Sequence, residues 1–430
     1  LSAIIETIEV TQHQVLIKIS PSFSNYFKED FWFSCDSVDL RTLPQEILIT
    51  PFILNIVPVI WACGVKATLP YIDATLKDRL PLIKQGFKQV YPFLDWSGEI
   101  YSDQVTHSPE LDQDESCVAL LFSGGVDSIN LSQDFLQKEQ ILLTIRGADV
   151  KLDDDQGWHE VKSFVKSYAD KIKAKNLTIE SNFATFINHH FLAKRFFNIP
   201  EWWGMVQHGL GLAGFLVIAG WQFQPKKMLM ASDLSLSQMQ GVEWASVCLI
   251  MKHLQLPTAH FQHMSYELTR QEKINKLANK YRQHSEITPV RVCYASRGGR
   301  NCGKCRKCML AMFGFLAAGL DYQIFGFSTA HDHFISAVKK ELFTAKHSLN
   351  TVANLLWIDI QNHILTRSEY ESIGLQPELI DVLMYLKAIN INQVSKKLQL
   401  RQAPKRYFVF IARNIPLLST IYAYLKTKRF

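Results

Sequence analysis

Net charge is nearly absent from this chain: 46 Lys and Arg against 40 Asp and Glu leave +6 over 430 residues. So small an excess neither demands nor excludes a nucleic-acid partner such as tRNA. Leu1 to Val10 hold two glutamates and no basic residue, which is unlike a cleavable leader. Uninterrupted apolar runs are short. The longest stretch, Ile47 to Val65, is broken by Pro51, Asn55 and Pro58, so buried structure is expected there and a membrane span is not. Cysteine is scarce too. Of the eight, Cys35, Cys63, Cys117 and Cys248 stand singly in apolar contexts as small core residues, and the others cluster. That usage suits a reducing compartment, and the cytoplasm is the expected location. What remains is globular in composition, 47% hydrophobic and 20% charged, long enough for two or three domains.

Val118 to Phe122 form a consecutive apolar run, the pattern of a parallel strand covered on both faces, and Ser123-Gly124-Gly125 then permits a sharp turn into a helix over Val126 to Phe135. Glycine tolerates unusual dihedrals, and without a Cβ it lets a phosphate approach the amide groups. The helix N-terminus adds unpaired donors and partial positive charge at the same spot. Asp127 and Ser128 sit in its first turn, where a carboxylate can hold Mg²⁺ and a hydroxyl can donate to a phosphate oxygen. No Gly-Lys-Ser/Thr follows, which excludes a Walker A loop.

A second array, Cys293-x8-Cys302-x2-Cys305-x2-Cys308, can close one tetrahedral site, with Gly298, Gly299 and Gly303 supplying the turns. Four sulfurs leave no open position for water, so zinc there is expected to be structural. An iron–sulfur cluster uses the same ligands.

Further strands are expected at Ile141 to Ile145 and Asn176 to Glu180. Alternation with helices predicts an α/β fold with a doubly wound parallel sheet. Ligands of such sheets sit at the carboxyl ends of strands, which makes Ile145 and Arg146 candidates for the adenine side of a nucleotide site; an ion pair of Arg146 with Asp149 or Asp153 is the equal alternative. His208, at the start of a buried helix running to Gly220, is either a site residue or a satisfied structural histidine. Ser232 and Asp233 follow the run Met228 to Met230, where they either read substrate polar groups or make a plain turn.

The Ser123 to Ser128 turn resembles the SGGxDS pyrophosphate loop of the N-type ATP pyrophosphatases. Joined to the cysteine array, it resembles the QueC family, the 7-cyano-7-deazaguanine synthases, over about residues 115 to 315. The resemblance extends to Thr269-Arg-Gln-Glu-Lys-Ile274. It implies a HUP-like fold with a zinc loop, ATP held by Ser123, Gly124, Gly125, Val126, Asp127 and Ser128, and Mg²⁺ held with Asp127. It also implies Lys273 and Arg270 as cations stabilising the phosphoryl charge, zinc on the four cysteines, and adenylation of a carboxylate such as 7-carboxy-7-deazaguanine. The acyl group then passes to a nitrogen nucleophile. Free ammonia would give the nitrile synthase. Extended QueC-like proteins also occur in bacterial anti-phage operons, where a partner protein's amine is the implied acceptor. A non-catalytic ATP-binding scaffold is a third possibility. A tRNA-thiolating enzyme would need a persulfide cysteine, for which Cys248 is the only spare one downstream of the turn.

The chain departs from the compact family at both ends. Residues 1–110 are expected as an accessory α+β domain, with strands such as Gln14 to Ser20, a helix from Asp73 to Val90, and an acidic linker from Ser102 to Ser116. The QueC-like domain is expected over 115–325 and a helical extension over 330–430, with helices near Thr351 to Ile364 and Pro377 to Ile389. Its tail carries Arg401, Lys405, Arg406, Arg413, Lys426, Lys428 and Arg429. A solvated helical face is favoured there, with nucleic acid or an acidic membrane surface as the alternative.

Overall fold

A computed structural model describes residues 2–397 and 400, apart from 110, 200, 286, 296 and 342–350. The expected apolar run becomes the middle of a sheet. In chain order the strands are β1 (Ser2–Ala3), β2 (Ile5–Val10), β3 (Gln14–Ile19), β4 (Phe31–Ser34), β5 (Lys66–Asp73), β6 (Glu99–Thr106), β7 (Asp114–Leu121), β8 (Glu139–Arg146), β9 (Lys175–Ser181), β10 (Pro225–Ala231) and β11 (His260–Met264). Eight of them form one sheet in the order β11-β10-β7-β8-β9-β4-β3-β2. From β11 to β9 the pairing is parallel, with long connections carrying helices, so this is an α/β protein. The chain moves outward from β7 through β8 to β9, then returns to β10 on the other side of β7. That reversal leaves a crevice at the carboxyl ends of β7 and β10.

Part of the segment 1–110 belongs to this sheet. The antiparallel strands β2, β3 and β4 extend it through β4 and β9, with Phe33 opposite Ser181 and Ser34 opposite Glu180. The supposed linker from Ser102 to Ser116 is strand at both ends, up to Thr106 in β6 and from Asp114 in β7; β6 pairs with β5 in a smaller parallel sheet, β1-β5-β6. Asp73 caps the helix Ala74–Val90 between them, accepting from the N–H groups of Thr75 and Leu76.

The apolar stretch forms the helix Gln45–Cys63, in which every residue from Ile47 to Cys63 is buried. It continues through Pro51 and Pro58. By length and composition this helix and the segment Trp203–Phe223 could each cross a membrane, but here they are mostly buried against the rest of the protein. They pack on each other. A Cβ on Gly211 would lie 2.4 Å from Asn55 Oδ1, and one on Gly214 would lie 3.1 Å from Pro51 Cα. Asn55 is buried at this crossing, donating to Pro51 and Gly211 carbonyls and accepting from Gln207 Nε2. The expected helix from His208 to Gly220 is divided at Gly214 and Phe215 into His208–Ala213 and Leu216–Phe223, and a π-helical turn, Trp203–Gln207, precedes it.

The C-terminal helices Thr351–Asn362, Arg367–Ser372 and Pro377–Ala388 also join the main body. Trp357 packs edge-on against Phe313, and Tyr370 donates to the Ala317 carbonyl; both partners belong to the helix Arg306–Ala317. The basic tail from Arg401 to Arg429 lies outside the described residues.

Candidate functional site: a glycine turn, a buried lysine and four sulfurs

β7 ends at Leu121, and the chain bends through Ser123, Gly124 and Gly125 into the helix Val126–Asp134, whose N-cap is Gly125. Gly124 takes φ +74°, and a Cβ there would sit 2.4 Å from a ring carbon of Phe164. Both dihedral and space therefore require glycine. Ser123 Oγ accepts from the Gly125 N–H at 3.3 Å. Ser128, which its position offers as a phosphate donor, gives its hydroxyl to the Gly125 carbonyl at 3.2 Å and so fastens the turn instead. Thr144 Oγ1, on β8, donates to the Phe122 carbonyl and ties the turn to the neighbouring strand.

Asp127 faces two cations from the helix Arg270–His284. Arg270 Nη2 donates to one carboxylate oxygen at 2.5 Å, and Lys273 Nζ lies 3.3 Å from the other. Lys273 has no exposed side-chain surface and also donates to the Ser232 carbonyl at 2.6 Å, at the end of β10. This lysine thus spans the crevice between β7 and β10, and a buried ammonium held by one carboxylate and one carbonyl is a strong local source of positive potential. Burial pushes the Arg270 guanidinium down, but the carboxylates of Asp127 and Asp233 outweigh it and raise its pKa. The helix start is well specified: Thr269 and Glu272 form a capping box.

On the β10 side, Ser232 Oγ donates to the Leu234 carbonyl, and both oxygens of Asp233 are occupied, by Ser246 Oγ at 2.9 Å and Trp244 Nε1 at 2.7 Å. The turn reading therefore describes these two side chains. His208 joins them through Ser246, 3.2 Å from its Nε2. Burial raises Asp233, but the charges of His208 and Arg270, with those two hydrogen bonds, outweigh it and hold the carboxyl below its ordinary range.

Arg146 is not brought to this cluster. Only 5% exposed, it is tied by Glu180 at 2.8 Å, Asp155 at 2.6 Å and the carbonyls of Lys151 and Leu152. The ion-pair alternative holds in kind, with Glu180 and Asp155 in place of Asp149 or Asp153. Ile145 stays half-buried near the end of β8, opposite Ile179 of β9.

Three residues that sequence reasoning missed stand close by. His263, near the end of β11, is 7% exposed, with neither ring nitrogen hydrogen-bonded to any described residue; burial, helped by the charges of Lys273 and His208, drives it down to about 4 against the pull of Asp233. Asp359, from the C-terminal helices, accepts from the Gln271 N–H at the start of the Arg270 helix. Arg291 donates its backbone N–H to the Gly124 carbonyl. No sequence signal marks them, because burial decides the state of His263 and the other two act on partners distant in the chain.

The four cysteines converge as their spacing predicts. Their sulfurs all lie within 4.8 Å of one another, with Cys293–Cys305 at 3.8 Å and Cys302–Cys308 at 4.0 Å. Tetrahedral zinc with bonds of about 2.3 Å places its sulfurs roughly 3.8 Å apart, so the cluster is consistent with zinc. Cys302 Sγ also accepts from the N–H groups of Lys304 and Cys305, as suits a thiolate. Gly298, Gly299 and Gly303 all have left-handed φ, and Cys305 starts the helix Arg306–Ala317 that carries Cys308. No protein-family model, curated protein or solved structure matches this chain.

Proposed function

We propose that the protein is a QueC-like ATP-dependent ligase of the N-type ATP pyrophosphatase class, with the HUP-like fold of that class. It adenylates a carboxylate, 7-carboxy-7-deazaguanine being the leading candidate, and passes the acyl group to a nitrogen nucleophile. The observation that carries this reading is the approach of Asp127, Arg270 and buried Lys273 at the glycine turn, in the crevice where the strand order reverses. Ligands of open α/β sheets bind at such crevices, and helix N-termini with cations suit polyphosphates.

In this reading a carboxylate oxygen attacks the α phosphorus of ATP, the bond to the bridging oxygen breaks, and pyrophosphate leaves with that electron pair. Amide groups of Ser123 to Val126, with Lys273 and Arg270, stabilise the charge gathering on the phosphoryl oxygens. Asp127 would hold Mg²⁺, which supplies further neutralisation of phosphate charge, once Arg270 or Lys273 passes from its carboxylate to the phosphates. An amine then attacks the acyl carbon, the carbon–oxygen bond to AMP breaks, and the nitrogen releases a proton. The four-cysteine centre holds the fold and takes no part in either step. About a hundred residues on each side of the resembling segment favour a partner protein's amine as acceptor over ammonia.

Pyrophosphate release from Mg-ATP with 7-carboxy-7-deazaguanine tests the proposal. Asp127→Asn is expected to lower it at least about a hundredfold with zinc content unchanged. No AMP formation with any carboxylate, with or without operon-encoded partner proteins, would leave a nucleotide-binding scaffold as the better description.

A further inference from the structure

Arg291 joins the sulfur loop to the glycine turn. Its backbone N–H donates to the Gly124 carbonyl at 2.7 Å, while its guanidinium, in a residue only 7% exposed, donates to the carbonyls of Gly299 at 2.9 Å and Cys293 at 3.4 Å. Cys293 is the metal-site cysteine most remote in sequence, and Gly299 lies in the loop that brings it to the other three. A second route runs alongside. The Gly298 N–H donates to Asp154, which also caps the helix Asp155–Ile172 through the Gly157 N–H, and Phe164 of that helix covers Gly124.

We infer that Arg291 is a positioning residue that makes the shape of the Ser123–Ser128 turn depend on the metal held by the four cysteines. Without a central ion the four-sulfur clamp is lost, and the Cys293 and Gly299 carbonyls are left at the guanidinium fork only by the loop's own ties, Gly298 to Asp154, Asn301 to Val290 and Val292, and the surface pairs Arg297–Asp153 and Arg300–Glu160. A buried cation without acceptors is costly, so the Arg291 side chain moves and its peptide moves with it. The donor to Gly124 is then lost. Resting on the proposed nucleotide reading, the consequence is reciprocal: if the metal tightens Mg-ATP by some factor, Mg-ATP tightens the metal by the same factor.

Amide hydrogen exchange on the zinc-loaded full chain tests the inference. Arg291→Met is expected to speed exchange over 123–128 about tenfold or more while β8 stays protected, with Arg291→Lys falling between it and wild type. Mg-ATP affinity, measured by calorimetry, is expected to weaken by a similar factor. Wild-type exchange and wild-type affinity in a zinc-replete Arg291→Met protein would overturn the inference. Should that variant not fold, zinc affinity of the wild type against a competing chelator, with and without Mg-ATP, decides: a ratio above about five supports the link and a ratio of one removes it. A wild type that binds no Mg-ATP, yet shows the exchange response to Arg291→Met, would end the nucleotide reading and leave the positioning role standing.

Discussion

His263 gives the residue scale its sharpest test. An imidazole this deeply buried, flanked by Lys273, Asp233 and His208, stays neutral in the fold to about pH 4, whereas in the unfolded chain it titrates near its ordinary 6.5. Between those values the unfolded state binds the extra proton, so stability is complete above pH 6.5 and is lost as pH falls towards 4. The loss is on the order of 3 kcal/mol for this one group. His263→Phe is therefore expected to flatten the acid limb of a urea-unfolding series. His189, also driven to about 4 by burial, remains in both proteins and cancels in the difference. A wild-type-minus-variant difference that ignores pH would show that His263 is not buried as a neutral ring. The glycine turn and the four cysteines were legible in sequence because their chemistry is written in adjacent residues. His263, Arg291 and the engagement of Arg146 were not, since burial and long-range partners decide them.

At the scale of elements, the helix Arg270–His284 carries most of the site's positive charge, and its start is held from two sides. Thr269 and Glu272 cap it locally; Asp359 reaches it from the helix Thr351–Asn362 and accepts from Gln271. A carboxylate at a helix N-terminus satisfies an orphan donor and opposes the helix dipole. Asp359→Ala should cost roughly 1 to 2 kcal/mol of stability, read from denaturant unfolding, with a fall in the rate of pyrophosphate release through displacement of Arg270. Asp359→Asn, which keeps an acceptor, should cost less. Equal stability of all three proteins would mean that the local capping box suffices. The helices at 74–90, 126–134, 351–362 and 377–388 and the strands β3, β7, β8 and β9 follow the periodicity of their sequences. The strand character of the Ser102 to Ser116 region does not, because polar, acidic residues are drawn into β6 by pairing with β5.

Across the whole molecule, contacts cross both expected boundaries, near 110 and 330: β4 pairs with β9, and the described C-terminal helices pack on the helix Arg306–Ala317. Phe313, Phe334 and Trp357 form a fully buried aromatic cluster spanning the second boundary. A chain cut after residue 329 should expose this cluster and aggregate on expression, and limited proteolysis of the full chain should not release a stable 115–325 fragment. Recovery of a soluble, zinc-replete fragment would show that the segments fold independently.

The pairing of Phe33 with Ser181 also sets an order of events during synthesis. β4 cannot reach its seat on β9 until about 150 more residues have left the ribosome, which at 5 to 20 residues per second takes roughly 7 to 30 seconds. Throughout that wait β4 lacks β9 and the helix Gln45–Cys63 lacks the segment Trp203–Phe223, with only β2, β3, β5 and β6 to cover them, so the nascent N-terminal third is the stretch most in need of chaperone shielding.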